Sequence, residues 1–149
     1  ENSGRLVTLV RNHAAHIAKE RNLSRSLIDG SPGTGCPVIA SLTAADYAVI
    51  VTEATVSGLH DMKRIFELID YFGIKAGVIV NKFDINPEIA KQIQEETERV
   101  GKKILGLIPY NEIVTLSQIN SQSIIEHAPN SKVALEITKI KKMIDQELG

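Results

Sequence analysis

The chain has one cysteine, Cys36, among its 149 residues. A single thiol excludes an internal disulfide and any all-cysteine metal or iron-sulfur site built within one copy, and it fits a reducing, cytoplasmic setting. An excess of either charge is also missing: 17 Lys and Arg stand against 18 Asp and Glu, for a net charge of -1. Such a balance gives no electrostatic footprint for nucleic acid or for an anionic membrane, and neither is expected as a partner. No apolar run approaches the ~20 residues of a membrane helix. The start ENSGRLVTLVRN lacks the basic head and apolar core of a signal peptide. Absent, finally, is a phosphate-binding loop: residues 1–26 contain no glycine-rich stretch ending in Lys-Ser or Lys-Thr.

What remains has the size and balance of one globular domain spanning 1–149, with 43% hydrophobic and 23% charged residues. Four short β-branched or apolar runs, 26–29, 48–52, 77–81 and 104–108, each end in a polar residue and read as buried parallel strands. Helical patterns separate them, except across the short GTGCPVIASL piece. The alternation predicts an α/β fold: a three-layer, mostly parallel, doubly wound sheet with helices on both faces.

One helix is expected over 4–22, where Leu6, Val7, Leu9, Val10, Ala14, Ile17 and Ala18 form a stripe and Ser3 can cap. A second carries Leu59, Met62, Ile65, Phe66, Ile69 and Phe72 and closes at Gly73. Residues 87–100 have only Ile89, Ile93 and Val100 in a charged background, so an exposed helix ending at Gly101 is expected. The last helix, about 131–148, puts Val133, Ile137, Ile140, Ile144 and Leu148 on one face. Lys139, Lys141 and Lys142 could suit a membrane surface. The interleaved Glu136, Asp145 and Glu147, and the lack of an aromatic anchor, favour a helix covering the sheet.

Ligands of open parallel sheets sit at the carboxyl ends of the strands. Four groups should share that rim here: Asp29; Thr52 with Glu53; Asn81 with Lys82; and Pro109 with Tyr110 and Asn111. A carboxylate at a strand end can hold magnesium through water, which makes Asp29 the candidate metal residue. Gly33 and Gly35 would let backbone N-H groups approach an anion. Asn81-Lys82-Phe83-Asp84 resembles the Asn-Lys-x-Asp motif in which an amide and a carboxylate read a purine edge. Cys36 opens a helix, where the dipole favours thiolate, although a small buried residue beside Pro37 is the simpler reading. His60-Asp61 could contact a partner, or Asp61 could simply complement a helix capped by Thr55 or Ser57. His13, His16 and His127 have no ligand spacing.

The blocks ENSGRLVTLVR, IDGSPGTGCPVIASLTAADYAVIVTEATVSGLHDMKR, GVIVNKFDIN, ILGLIPYN and SIIEHAPNS resemble the deviant-Walker P-loop ATPases related to MinD, ParA and the nitrogenase iron protein. The nearest branch is the MinD-like proteins with a ferredoxin-type insert. The resemblance implies a Walker-B role for Asp29, a switch-II role near the terminal phosphate for Gly33, and adenine contact for Asn81. It implies a base-closing loop at Pro109, Tyr110 and Asn111, and dimer or partner contacts for the helix bearing His60 and Asp61. It also implies ATP and magnesium as cofactors of the complete protein. Expected partners are a second copy or sister subunit that completes the sheet, and an iron-sulfur or metalloenzyme maturation target.

The family's phosphate loop with its lysines, its switch-I region and the cluster cysteines of this branch do not occur in these residues. In such folds the phosphate-loop strand lies between 26–29 and 48–52, so those strands should close up directly or another chain should fill the edge. Two functions follow as expectations. One is the C-terminal part of a switch ATPase unable to hydrolyse ATP by itself. The other is a non-catalytic interaction module that keeps the ATPase's partner surface. A phosphoacceptor receiver, with Asp29, Thr52 and Lys82 as acceptor, hydroxyl and lysine, would need an acidic pair on an earlier strand, where the sequence has a helix instead.

Overall fold

The computed structural model describes residues 2–43 and 45–149. In chain order the elements are α1 (Asn2–Glu20), α2 (Cys36–Leu42), β1 (Tyr47–Glu53), α3 (Val56–Phe72), β2 (Lys75–Asn81), α4 (Pro87–Arg99), β3 (Lys103–Ile108), α5 (Glu112–Ile119), α6 (Ile124–His127) and α7 (Lys132–Leu148). They form an α/β fold with a three-stranded parallel sheet, ordered β1-β2-β3 and flanked by helices. The chain divides into two compact units. One runs to Ala48 and takes in Lys63–Ile74; the other comprises Val49–Met62 and Lys75–Gly149.

The second unit carries the sheet. β2 and β3 pair in register from Gly77 against Lys103 to Asn81 against Ile108, with an irregularity between Val78 and Ile79. Ala76, Val78, Ile79 and Val80 of β2 and Leu105 of β3 are buried. A strand whose successive side chains are all buried is covered on both faces, which accounts for its unbroken apolar run.

The expected exposure of the 87–100 helix is corrected. Ala90, Ile93 and Thr97 of α4 are buried, and α4 lies on β2 and β3. Small residues complete this face at i, i+3 and i+7, a stripe hidden when only large apolar residues are counted. The Thr97 hydroxyl is satisfied internally, donating to the Ile93 carbonyl at 2.7 Å. Asn86 caps the helix by accepting from the Ile89 N-H, and Gly101 follows its end with φ +71°.

α7 covers β3, as expected for a sheet-packing helix, with Val133, Ala134 and Ile140 buried and Ser131 as its N-cap. The approach depends on Gly106 of β3. A Cβ built there would lie 2.4 Å from Ile140 Cγ1 and 2.6 Å from its Cδ1. No helix among the described residues is long and apolar enough to cross a membrane.

In the first unit, α1 and α2 pack together, and the Arg11 guanidinium donates to the Ala40 and Thr43 carbonyls at the end of α2. Carbonyls of a helix's last turn generally lack partners within the helix, and a cation there also complements the helix dipole. Ser3 lies inside α1 and does not precede it as a cap.

Residues 26–29 overturn the strand expected there. They have no assigned secondary structure, all four are exposed, and Leu27 is 98% exposed. Among the described residues the sheet comprises β1, β2 and β3, and 26–29 are not one of its strands, so their backbone groups take no part in its ladder. Cys36 is exposed rather than buried beside Pro37, because α2 presents its first residue outward and buries Val38.

Candidate functional site

The carboxyl ends of the three strands are tied to one another by three hydrogen bonds. Lys82 follows β2 with φ +52°, in the left-handed region that is uncommon for a non-glycine residue. From there its Nζ donates to Glu53 Oε1 at the end of β1, at 2.7 Å. The next residue, Phe83, donates its N-H to the Ile108 carbonyl, the last of β3, at 3.2 Å. Pro109 has no N-H to give, and the N-H of Tyr110 donates to Asp84 Oδ1 at 2.7 Å. The β2-α4 loop thus both donates to β3 and accepts from the β3-α5 loop. The Lys82–Glu53 pair is about half exposed and contributes little net stability.

This arrangement brings together Asn81, Pro109, Tyr110 and Asn111. Asn81 and Pro109 are half-buried, Tyr110 is exposed, and the Asn111 side chain accepts from the Ile113 N-H at 3.0 Å, capping α5. A groove of about 310 Å³ opens alongside, lined by the apolar Phe83, Leu107, Pro109 and Leu135 and by Lys132, Glu136 and Lys139. Four of its seven lining residues are apolar and three are charged.

Gly58, in the first turn of α3, belongs to the same rim and is not evident from spacing alone. A Cβ there would sit 2.5 Å from the Glu53 carbonyl and 2.8 Å from Thr52 Oγ1, so only glycine lets α3 start this close to the end of β1. Thr55 caps α3 by accepting from the Gly58 N-H at 3.0 Å. One turn on, His60 and Asp61 are exposed, with His60 Nδ1 3.7 Å from Asp61 Oδ1.

Asp29 and Gly33 belong to the other unit. Asp29 is exposed in the segment without secondary structure, and Gly33 adopts φ +85°, a turn conformation that suits glycine. Gly35 is the N-cap residue of α2.

Residues 31–148 match the family described as 4Fe-4S iron sulfur cluster binding proteins, NifH/frxC family. Two curated relatives come from Methanocaldococcus jannaschii. An uncharacterized protein is 32% identical over 56% of this chain and 29% of its own length, and an uncharacterized ATP-binding protein is 37% identical over 67% and 38%. The chain thus spans well under half of the curated relatives it matches.

Among solved structures, the MinD cell division protein of Aquifex aeolicus superposes with a TM-score of 0.72 at 19% identity, over 89% of this chain and 59% of that one. The septum site-determining protein MinD of Pyrococcus horikoshii, complexed with Mg-ADP, gives 0.69 at 21% identity, over 83% and 51%. The likeness is one of fold, covering a little over half of each MinD chain.

A [4Fe-4S] cluster, named in the family's description, is held by four cysteine thiolates. This chain has Cys36 alone, and no three His, Cys, Asp or Glu side chains among the described residues converge as a metal site. One copy does not fit that group. Nor do these residues supply a phosphate-binding loop for a magnesium nucleotide, and Asp29 lies outside any strand.

Proposed function

The chain belongs to the 4Fe-4S iron sulfur cluster binding proteins of the NifH/frxC family, and on that premise we propose that it is the C-terminal part of a MinD-like ATP-binding switch protein. In this reading it supplies the base-binding half of the nucleotide site. The supporting observation is the tied rim: Lys82 to Glu53, Phe83 to Ile108 and Tyr110 to Asp84 hold Asn81 and Pro109 in fixed relation. A site whose polar groups are fixed before binding loses less entropy when the ligand arrives.

Asn81 offers an amide that can both donate to and accept from an adenine edge, and Pro109 offers an apolar face. Asp29 would hold magnesium through water, and Gly33 would approach the terminal phosphate, once a phosphate loop from elsewhere completes the site. The chain alone binds ATP weakly and does not hydrolyse it, since charge on the transferred phosphoryl group has no lysine to stabilise it. Hydrolysis in the completed protein would switch a dimer or a maturation partner. The exposed His60-Asp61 pair favours a second reading, in which this helix docks a partner without nucleotide.

The test is a titration with fluorescent ATP, with and without magnesium, beside Asn81→Ala. The expected outcome is saturable binding that Asn81→Ala weakens roughly tenfold, the loss of about one well-placed hydrogen bond, with no turnover above background. Binding indifferent to Asn81 would defeat the assignment. Partner capture unaffected by ATP and abolished by His60→Ala with Asp61→Ala would favour the docking module.

A further inference from the structure

The Asn-Lys-x-Asp spacing invites the reading that Asp84 recognises a base. A carboxylate suits guanine, whose edge presents an N1-H and an exocyclic amine as two adjacent donors. It suits adenine poorly, because adenine presents an acceptor at N1, and an ionised carboxylate can only accept. In the structure the Asp84 carboxylate has another partner: Oδ1 accepts the Tyr110 N-H at 2.7 Å.

Pro109 gives that bond its importance. The Ile108 carbonyl is already held by the Phe83 N-H, and Pro109 has no donor. The Tyr110 N-H is therefore the first backbone donor beyond β3 by which the 109–111 loop can be held, and Asp84 is what holds it. With Asn111 engaged in capping α5, the short loop is fixed at both ends.

Resting on the base-site reading above, we infer that Asp84 is a positioning residue, setting the 109–111 loop against the base through the Tyr110 N-H, and that it does not read the base itself. The site then takes adenine nucleotides, and its selectivity does not depend on the charge of Asp84. The carbonyl of an asparagine can accept the same N-H, so Asp84→Asn should preserve the tie and Asp84→Ala should remove it. A carboxylate that read the base would behave differently, because Asp84→Asn swaps an acceptor pair for one acceptor and one donor and would alter the preference between ATP and GTP.

The experiment compares the wild-type chain, Asp84→Asn and Asp84→Ala by two readouts. One is the amide exchange rate of Tyr110 without ligand; the other is affinity for fluorescent ATP and fluorescent GTP. Asp84 is exposed, so both variants should fold. The expected result is protection of Tyr110 in wild type and Asp84→Asn, with exchange about tenfold faster in Asp84→Ala. ATP affinity should fall several-fold in Asp84→Ala only, and the ATP-to-GTP ratio should be unchanged throughout.

An ATP-to-GTP ratio that shifts in Asp84→Asn would overturn the inference in favour of direct base reading. So would a Tyr110 amide that exchanges equally fast in all three proteins. If Tyr110 behaves as expected but no form binds either nucleotide, the base-site reading fails, and Asp84 is a loop tie without a role in binding.

Discussion

Residues 77–81 and 26–29 follow one pattern, a short apolar run ending in a polar side chain at a loop, but the structure treats them differently. The first is the centre of a sheet, with Val78, Ile79 and Val80 buried and Asn81 held at a rim tied on both sides. The second has no secondary structure, and Leu27 is 98% exposed. Apolar content does not distinguish them; neighbours do. A strand exists only as one of a pair, because each backbone N-H and C=O needs a partner before its side chains can be buried. Of the residues expected from sequence to form a nucleotide site, Asn81 ends a paired strand, whereas Asp29 lies on a run without secondary structure.

The sharpest way to break this contrast is to truncate one residue in each region. Ile93→Ala, beneath the sheet, should destabilise by ~2–5 kcal/mol through lost burial and a cavity, whereas Leu27→Ala should change stability by no more than ~0.5 kcal/mol. Denaturant titrations of both measure the difference, and equal effects would mean that 26–29 is packed after all.

A smaller loss should follow Gly106→Ala. The added methyl must displace Ile140, which is buried on α7, at a cost of ~1–3 kcal/mol. An unchanged Tm would show that α7 yields without cost.

The smallest effect is confined to α6. Ser123 donates to Glu126 by its hydroxyl at 2.7 Å and its N-H at 2.9 Å, and these bonds hold the Glu126 carboxyl below the usual glutamate range. Because the folded-state value is depressed, this local stabilisation is complete above the ordinary glutamate pKa and fades as pH falls through the depressed one. The Glu126 carboxyl carbon, followed by NMR, should titrate at lower pH than the other glutamates, and Ser123→Ala, which removes the hydroxyl bond and keeps the backbone one, should move it part of the way back to their range.

Three of the four expected strands, the long helices and the α/β class were legible because their signal is periodic and local. β1, β2 and β3 extend beyond 48–52, 77–81 and 104–108 by two residues or fewer at either end. The burial of α4 was not legible, since Ala90 and Thr97 contribute to its face without looking apolar. Gly58 and Gly106 were not either: their importance lies in what a Cβ would strike on another element. Asp84 was visible as a motif, but its bond to Tyr110 depends on a left-handed turn at Lys82 that no local rule assigns to lysine. Residues 26–29 misled because a pattern can show that a run would suit a strand and cannot supply the strand beside it.

The most direct test is a backbone NMR titration of the 149-residue chain with ATP. If the rim is the base-binding half of a nucleotide site, saturable shifts should appear at 81–84 and 109–111, while residues 26–29 stay unperturbed. No shifts at millimolar ATP, or shifts confined to surfaces away from those two loops, would contradict it.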